Sequence, residues 1–211
     1  AFLAGLLNAW PMGFYNPATL VKDAQRHDVE VRGIDVMHSE WMCTLEASKS
    51  PATRIGLRFA SGLREETTET LVAERKRRMF RDLADLANRV PFRRDELETL
   101  AELGALSGLA GSGRRDALWQ VTALERDPHS LFSGKPLPDA DKPSPLPQTT
   151  PLEDTLADYR LAGLTPGPQL LVHLRPELER RGILPAQQLR DTANGRYVKT
   201  AGHVIVRQRP G

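Results

Sequence analysis

The chain has 211 residues, of which 40% are hydrophobic, and its net charge is +2. This hydrophobic content is enough to bury a core, and the length predicts one or two compact units with connecting segments. The single cysteine, Cys43, excludes an internal disulfide and a cysteine-based zinc cluster, and it favours a reducing, cytoplasmic compartment. Because the net charge is nearly neutral, it does not by itself indicate a nucleic-acid partner.

The predicted elements begin with an apolar run, residues 1–10, which we interpret as a buried helix. Asn8, Trp10 and Pro11 end this run too early for it to span a bilayer. Apolar residues at helical spacing then predict a helix over residues 17–27, with Asn16 as its N-cap.

Short β-rich runs follow this helix. Residues 29–31 and 34–36 predict a strand that is kinked at Gly33, and residues 41–46 predict its partner. Residues 54–59 alternate between apolar and polar side chains, which predicts a second extended piece.

From residue 61 the pattern becomes helical. Glycine and proline punctuation predicts three short helices, over residues 65–75, 81–90 and 94–103. Residues 114–121 predict a further helix, in which we expect Trp119 to anchor the core.

A Pro-rich segment follows at residues 127–151, and its composition predicts an extended linker. It contains Leu131 and Phe132, a pair similar to the end of sliding-clamp-binding peptides. Pro128 stands where those peptides carry glutamine, so we interpret the pair as a packing contact.

Beyond the linker, helical patterns cover residues 152–163, 170–181 and 185–191. Asn194-Gly195 predicts a turn, and residues 197–207 predict a strand.

The sequence contains no self-contained catalytic or metal-binding motif. There is no Gly-rich phosphate loop and no H-E-x-x-H pair, and the five histidines are scattered. We therefore predict no catalytic residue and no metal ligand in this chain.

Residues 11–46 combine aromatics, prolines and charges in a particular order. The informative pieces are Pro11–Tyr15, Leu20-Val21, Asp23-Ala24, Arg26-His27, Val29–Arg32, Asp35-Val36, Ser39, Trp41 and Cys43–Glu46. Later pieces are Gly56–Arg58, Gly62-Leu63, Gly104–Leu106, Arg114–Trp119, Ala157–Arg160 and Val198–Gly211. Together they resemble the error-prone bacterial DNA polymerases related to the alpha subunit of DNA polymerase III. The resemblance covers essentially the whole chain outside the Pro-rich segment.

The resemblance implies that the parent protein is a DNA-directed DNA polymerase used in DNA damage tolerance and induced mutagenesis. It places the aspartates that hold Mg²⁺ in a palm domain upstream, so we expect an internal fragment that is inactive alone. The implied partners are duplex template-primer DNA, deoxynucleoside triphosphates, an inactive Y-family-like accessory and a RecA-like accessory. No surface for either accessory can be identified in the sequence.

Residues 61–64, Ser-Gly-Leu-Arg, resemble the hairpin of a helix-hairpin-helix motif, and residues 90–94 fall where a second copy is expected. Glycine lets the backbone approach a phosphate, and the N–H groups that begin the next helix point at the anion. Arg64 replaces a second glycine and is expected to contact phosphate. From the tetrapeptide alone, a simple boundary between a strand and a helix fits better; the family resemblance favours the hairpin.

The predicted DNA-binding residues are Gly62, Leu63, Arg64, Arg75, Lys76, Arg77, Arg78, Arg93 and Arg94. Phosphate contacts of this kind give affinity without sequence information. For the run at residues 75–78, a solvated helix end that complements the helix dipole fits equally well.

We therefore predict a mainly α fold with small β elements. The predicted domains are the end of a fingers domain (1–53), a tandem helix-hairpin-helix domain (54–126), the linker (127–151), a helical connector (152–195) and the first strand of an oligonucleotide-binding barrel (196–211). The alternatives are a non-enzymatic helix-hairpin-helix DNA-binding protein, a protein-interaction scaffold and, less favoured, a replicative parent.

Overall fold

The computed structural model describes residues 1–11, 13, 15–46, 51–111, 113–124, 144–145, 147–202 and 204. The chain divides into two compact units, Ala1–Pro166 and Gly167–Gly211. Most of the predicted linker, including Leu131 and Phe132, and the end of the last predicted strand lie outside the described residues.

The first unit is mainly helical. Its helices are α1 (Phe2–Asn8), α2 (Pro17–Arg26), α3 (Glu65–Arg77), α4 (Leu83–Arg89), α5 (Arg94–Glu102), α6 (Ser107–Ala110), α7 (Arg114–Ala123) and α8 (Pro151–Ala162). The helices predicted for this unit are confirmed, and so is the mainly α class with small β elements.

The helix ends show why these segments are helical. The Asn16 side chain accepts the Ala18 N–H at 2.9 Å, and Pro17 occupies the first turn of α2. At the start of α8 the Thr150 hydroxyl accepts the Glu153 N–H at 3.2 Å, and the Glu153 carboxylate accepts the Thr150 N–H at 2.7 Å. The predicted N-cap of α2 is confirmed.

Three short strands form a sheet, namely β1 (Val31–Arg32), β2 (Thr44–Glu46) and β3 (Ala52–Arg54). The order is β1-β3-β2, with β3 parallel to β1 and antiparallel to β2. The prediction that residues 41–46 pair with residues 29–36 is therefore wrong, because β3 lies between the two segments.

The strand predicted over residues 54–59 is also wrong beyond Arg54. Leu57–Phe59 form a 3-10 helix, although the side chains of Ile55 and Leu57 are both buried. The 3-10 helix begins directly after Gly56, where an added Cβ would lie 2.4 Å from the Trp41 carbonyl oxygen. The close approach of the Trp41 backbone therefore leaves no room for a side chain at position 56. The local alternation of apolar and polar residues does not reveal this contact.

The core of the first unit runs from α1 through the sheet to α7 and includes Cys43, which packs as a small apolar residue. In α7 the buried apolar side chains are Ala117 and Val121, one turn apart. Trp119 is 37% exposed, so the prediction that it anchors the core is wrong. The fully buried large side chains of this core are Leu7, Val21, Val36, Ile55, Leu57, Leu71, Leu86, Leu97, Leu100, Leu106 and Leu164.

The second unit contains α9 (Leu170–Arg180), β4 (Ile183–Leu184), a 3-10 helix (Ala186–Asp191) and β5 (Lys199–Thr200). β4 and β5 pair in parallel, and Gly195 has φ +82° in the predicted turn. Within the described part of the predicted strand, only β5 is extended and paired. The oligonucleotide-binding barrel stays a prediction.

Candidate nucleic-acid interface

The first predicted hairpin joins the 3-10 helix at Leu57–Phe59 to α3. Gly62 lies at its exposed tip with φ +78°, in the left-handed region that favours glycine, and an added Cβ would meet no atom within 4 Å. Leu63 is buried, and its N–H donates to the Ala60 carbonyl at 3.2 Å. The turn is therefore open at its tip and anchored from beneath by a leucine.

The second predicted hairpin joins α4 to α5. Val90 and Phe92 are buried while Pro91 is exposed, and the Phe92 N–H donates to the Val90 carbonyl at 2.8 Å. Arg93 and Arg94 follow at the exposed start of α5. Both predicted turns thus present an exposed edge and bury an apolar anchor.

The carboxylate of Glu96 connects the two turns. Glu96 is 1% exposed, and it accepts the Arg64 N–H at 3.0 Å and the Arg93 N–H at 2.7 Å. The Arg64 guanidinium donates to both carboxylate oxygens, at 2.9 Å each, and also to the Pro91 carbonyl at 3.0 Å. One acidic side chain therefore holds the backbones of both turns.

The electrostatics of Glu96 follow from these contacts. Burial by itself raises the pKa of a carboxyl group, but the hydrogen bonds from the Arg64 side chain and from the Arg93 and Arg64 N–H groups outweigh it. The resulting pKa of Glu96 is about 2. The carboxylate is therefore charged at neutral pH, and its charge is compensated by Arg64.

These contacts change the interpretation of Arg64. The sequence predicts a phosphate contact from its side chain, whereas in the structure both its N–H and its guanidinium bind Glu96. Glu96 was not among the predicted site residues. Two signals pointed to it: it stands at the third position of α5, where a capping acid is common, and it shares a face with Leu97 and Leu100.

The other predicted basic residues lie at the far end of α3. This helix has 13 residues, so its two ends are about 20 Å apart. Arg75 is only 9% exposed, and its guanidinium donates to the carbonyls of Val36 at 2.7 Å and Ser39 at 2.8 Å. The prediction of Arg75 as a surface contact is thus corrected: its side chain points inward and joins α3 to the loop before β2.

Lys76, Arg77 and Arg78 are exposed, as the predicted role requires. Arg77 pairs with Glu74 at 2.6 Å, and Arg78 pairs with the buried Asp85 at 2.8 Å. No ion pair involves the Lys76 side chain within the described ranges, and the same holds for Arg93 in the second turn. Near each end of α3, an exposed cation therefore has no ion pair with any described residue.

Acidic residues accompany both turns. Glu65 and Glu66 occupy the first turn of α3, and Asp95 occupies the first turn of α5. Carboxylates at these positions complement the helix dipole. They also repel an approaching phosphate, so the exposed cations must supply the attraction.

A groove of about 380 Å³ lies between α5, α7 and α8, at the end of α5 opposite to the second turn. Ion pairs join residues that line it: Arg114 binds Asp154 at 3.4 Å, and Arg160 binds Glu102. These pairs hold α8 against α7 and α5. The groove is separate from the predicted hairpins.

Within the described ranges, no group of three or more His, Cys, Asp or Glu side chains is arranged to hold a metal ion. His129 and His203 lie outside those ranges. No helix within these ranges is long and apolar enough to cross a membrane.

Residues 28–117 match a family model described as a helix-hairpin-helix motif. The matched segment contains both turns and Glu96. This region is therefore similar to helix-hairpin-helix proteins, the motif predicted for residues 61–64 and 90–94.

The whole chain is also similar to proteins named error-prone DNA polymerase. It is 46% identical over 215 residues to the one from Alkalilimnicola ehrlichii, 42% identical over 217 residues to the one from Burkholderia pseudomallei, and 40% identical over 212 residues to the one from Pseudomonas aeruginosa. Each match covers 100% of this chain and 20% of the relative. The chain thus spans about one fifth of the length of these curated relatives, and the resemblance stated from its motifs is confirmed.

Proposed function

We propose that this chain binds duplex template-primer DNA without sequence preference, as part of an error-prone DNA polymerase. The observation that carries the proposal is the pair of turns held together by Glu96, inside the segment that matches the helix-hairpin-helix model. An open glycine turn followed by a helix start lets a phosphate approach the backbone closely. Phosphate contacts give affinity on any sequence, which suits a polymerase that moves along its template.

The proposed phosphate-facing groups are the exposed members of the predicted set, Gly62, Lys76, Arg77, Arg78, Arg93 and Arg94. Leu63 supports the first turn from inside. Arg64 and Arg75 act through the structure, because their guanidinium groups are bound to Glu96 and to buried carbonyls.

For the whole protein, we propose DNA-directed DNA polymerase activity in translesion synthesis, DNA repair and induced mutagenesis. This proposal rests on the names of the relatives, at 40–46% identity over this chain. The substrates would be deoxynucleoside triphosphates. The resemblance assigns the Mg²⁺ ligands to a palm domain, and no cluster among the described residues fits such a site. Mg²⁺ would neutralise phosphate charge during nucleotidyl transfer, and we propose that this segment alone is inactive.

The remaining assignments also follow the resemblance. The domain boundaries at residues 53, 126, 151 and 195 are retained as proposals, with the predicted connector divided between α8 in the first unit and α9 in the second. An inactive Y-family-like accessory and a RecA-like accessory are proposed partners, and the cytoplasm, where bacterial DNA lies, is the proposed compartment. A clamp contact at Leu131-Phe132 is not proposed.

Binding of the 211-residue chain to a fluorescent DNA duplex across a salt series tests the proposal. We expect affinity to fall with salt in the same way on unrelated sequences, because each phosphate contact releases counterions. The double variant Arg93→Ala/Arg94→Ala should lower the slope of log K against log salt by about 1 to 2. Arg26→Ala is the control, since Arg26 is exposed at the end of α2, outside both turns, and the effects are compared per charge removed.

A folded chain that binds no duplex would overturn the proposal and favour a protein-interaction scaffold. If the control and the double variant weaken binding equally per charge removed, the attraction comes from diffuse charge and the turns make no specific contribution.

A further inference from the structure

The contact between the two turns bears on DNA binding as well as on stability. This inference rests on the proposed function. We propose that Glu96 is a positioning residue for DNA. It fixes the first turn against the second, so that the exposed edges at Gly62 and Arg93 meet one duplex together.

The geometry supports this role because the two oxygens of one carboxylate hold one N–H from each turn. The Arg64 N–H binds Oε1 at 3.0 Å, and the Arg93 N–H binds Oε2 at 2.7 Å. The two backbones can therefore be no further apart than one carboxylate and two hydrogen bonds allow. The Arg64 guanidinium holds the same two oxygens, which fixes the orientation of the carboxylate plane.

Burial keeps this arrangement rigid. Glu96 is 1% exposed and lies beside Leu97 and Leu100 on the buried face of α5. Water has little access to compete for the carboxylate, and the Arg64 side chain also binds the Pro91 carbonyl in the second turn. Arg64 and Glu96 thus act as one unit that spans both turns.

A purely electrostatic role and a positioning role of Glu96 predict opposite changes in DNA affinity when its charge is removed. Replacing the carboxylate by an amide removes one negative charge and releases the Arg64 cation. Coulomb attraction alone would then make DNA bind more tightly. If Glu96 positions the turns, binding should weaken, because the two phosphate-facing edges are no longer held in register.

The experiment compares wild type, Glu96→Gln and Glu69→Gln in duplex binding across a salt series. Glu69 is exposed on α3, so Glu69→Gln removes the same charge without touching the turns. We expect Glu69→Gln to bind as tightly as wild type or slightly more tightly. Glu96→Gln should bind about tenfold more weakly at moderate salt, with a salt slope lower by about one.

A folded Glu96→Gln chain with the affinity and slope of Glu69→Gln would overturn the inference. If circular dichroism shows that Glu96→Gln is unfolded, Arg64→Lys takes its place, because lysine keeps the charge and loses the two-pronged donation. A wild-type slope in Arg64→Lys would then overturn the inference. If the wild-type chain binds no duplex, the proposed function fails first, which separates the two outcomes.

Discussion

The two ends of α3 carry basic residues that look equivalent in the sequence and serve different purposes in the structure. At the hairpin end, Arg64 is bound by the buried Glu96, and the exposed Arg93 side chain has no ion pair within the described residues. At the opposite end, Arg75 points inward to backbone carbonyls, and Lys76 is the exposed neighbour without an ion pair in the same ranges.

The two ends differ in the elements that their arginine–carboxylate pairs join. At the hairpin end one carboxylate joins two turns. At the opposite end, Arg78 binds the buried Asp85 of α4 at 2.8 Å and Arg89 of α4 binds Glu74 of α3 at 3.0 Å, and these pairs hold α4 against α3. Charge counted along the sequence therefore overstates the charge that is free to meet a ligand. Exposure and pairing decide which cations remain.

The largest expected effect concerns acid stability at the hairpin end. The folded-state pKa of Glu96 is about 2, below the ordinary value of 4.5. Because the pKa is depressed on folding, its contribution is fully present above pH 4.5 and is lost as the pH falls from 4.5 towards 2. The shift corresponds to about 3 kcal/mol of unfolding free energy. Urea unfolding of wild type and Glu96→Gln between pH 7 and pH 2 measures it.

In that experiment we expect Glu96→Gln to be less stable at pH 7 and the two stability curves to converge near pH 2. Other carboxyl groups with lowered pKa values, such as Glu46 and Asp85, titrate in both proteins and cancel in the comparison. Parallel curves over the whole pH range would contradict the role assigned to the Glu96 charge.

A smaller effect is expected from two neighbours at the far end of α3. Arg75→Met should lower the unfolding free energy by about 2 kcal/mol, because the carbonyls of Val36 and Ser39 lose their buried donor. It should leave the salt slope of DNA binding unchanged. Lys76→Met, one residue on, should change stability by less than about 0.5 kcal/mol and lower the slope by up to about one. If Arg75→Met and Lys76→Met changed the unfolding free energy equally, the buried hydrogen bonds of Arg75 would not stabilise the fold.

The sequence predicted the helices well because their signals are local. Asn16 before Pro17 marks the start of α2, and glycine and proline separate the later helices. The close approach of Gly56 to the backbone of Trp41 was not predictable in this way, since the contact is made only in the folded chain.

The positions of the two turns could be predicted from the sequence. The hydrogen bonds and ion pairs of their side chains could not. Gly62 and the motif around it identified the first turn, and the family match covers it. Periodicity could not separate Arg75 from Lys76 within one basic run, because the apolar residues of α3, Leu71–Ala73, are consecutive and do not mark one face. Nor could it pair Arg64 with Glu96, which stands 32 positions away in the sequence.

The smallest expected effect compares one exposed arginine from each end. Arg77 is 78% exposed and pairs with Glu74 at 2.6 Å, so Arg77→Ala should change the unfolding free energy by less than about 0.5 kcal/mol. For DNA to use Arg77, this ion pair must first give way, whereas Arg93 has no such competitor in the described ranges. We therefore expect Arg93→Ala to lower the salt slope by about one and Arg77→Ala to lower it by less than half as much. The reverse order in parallel titrations would place the main duplex contact at the far end of α3, away from the turns.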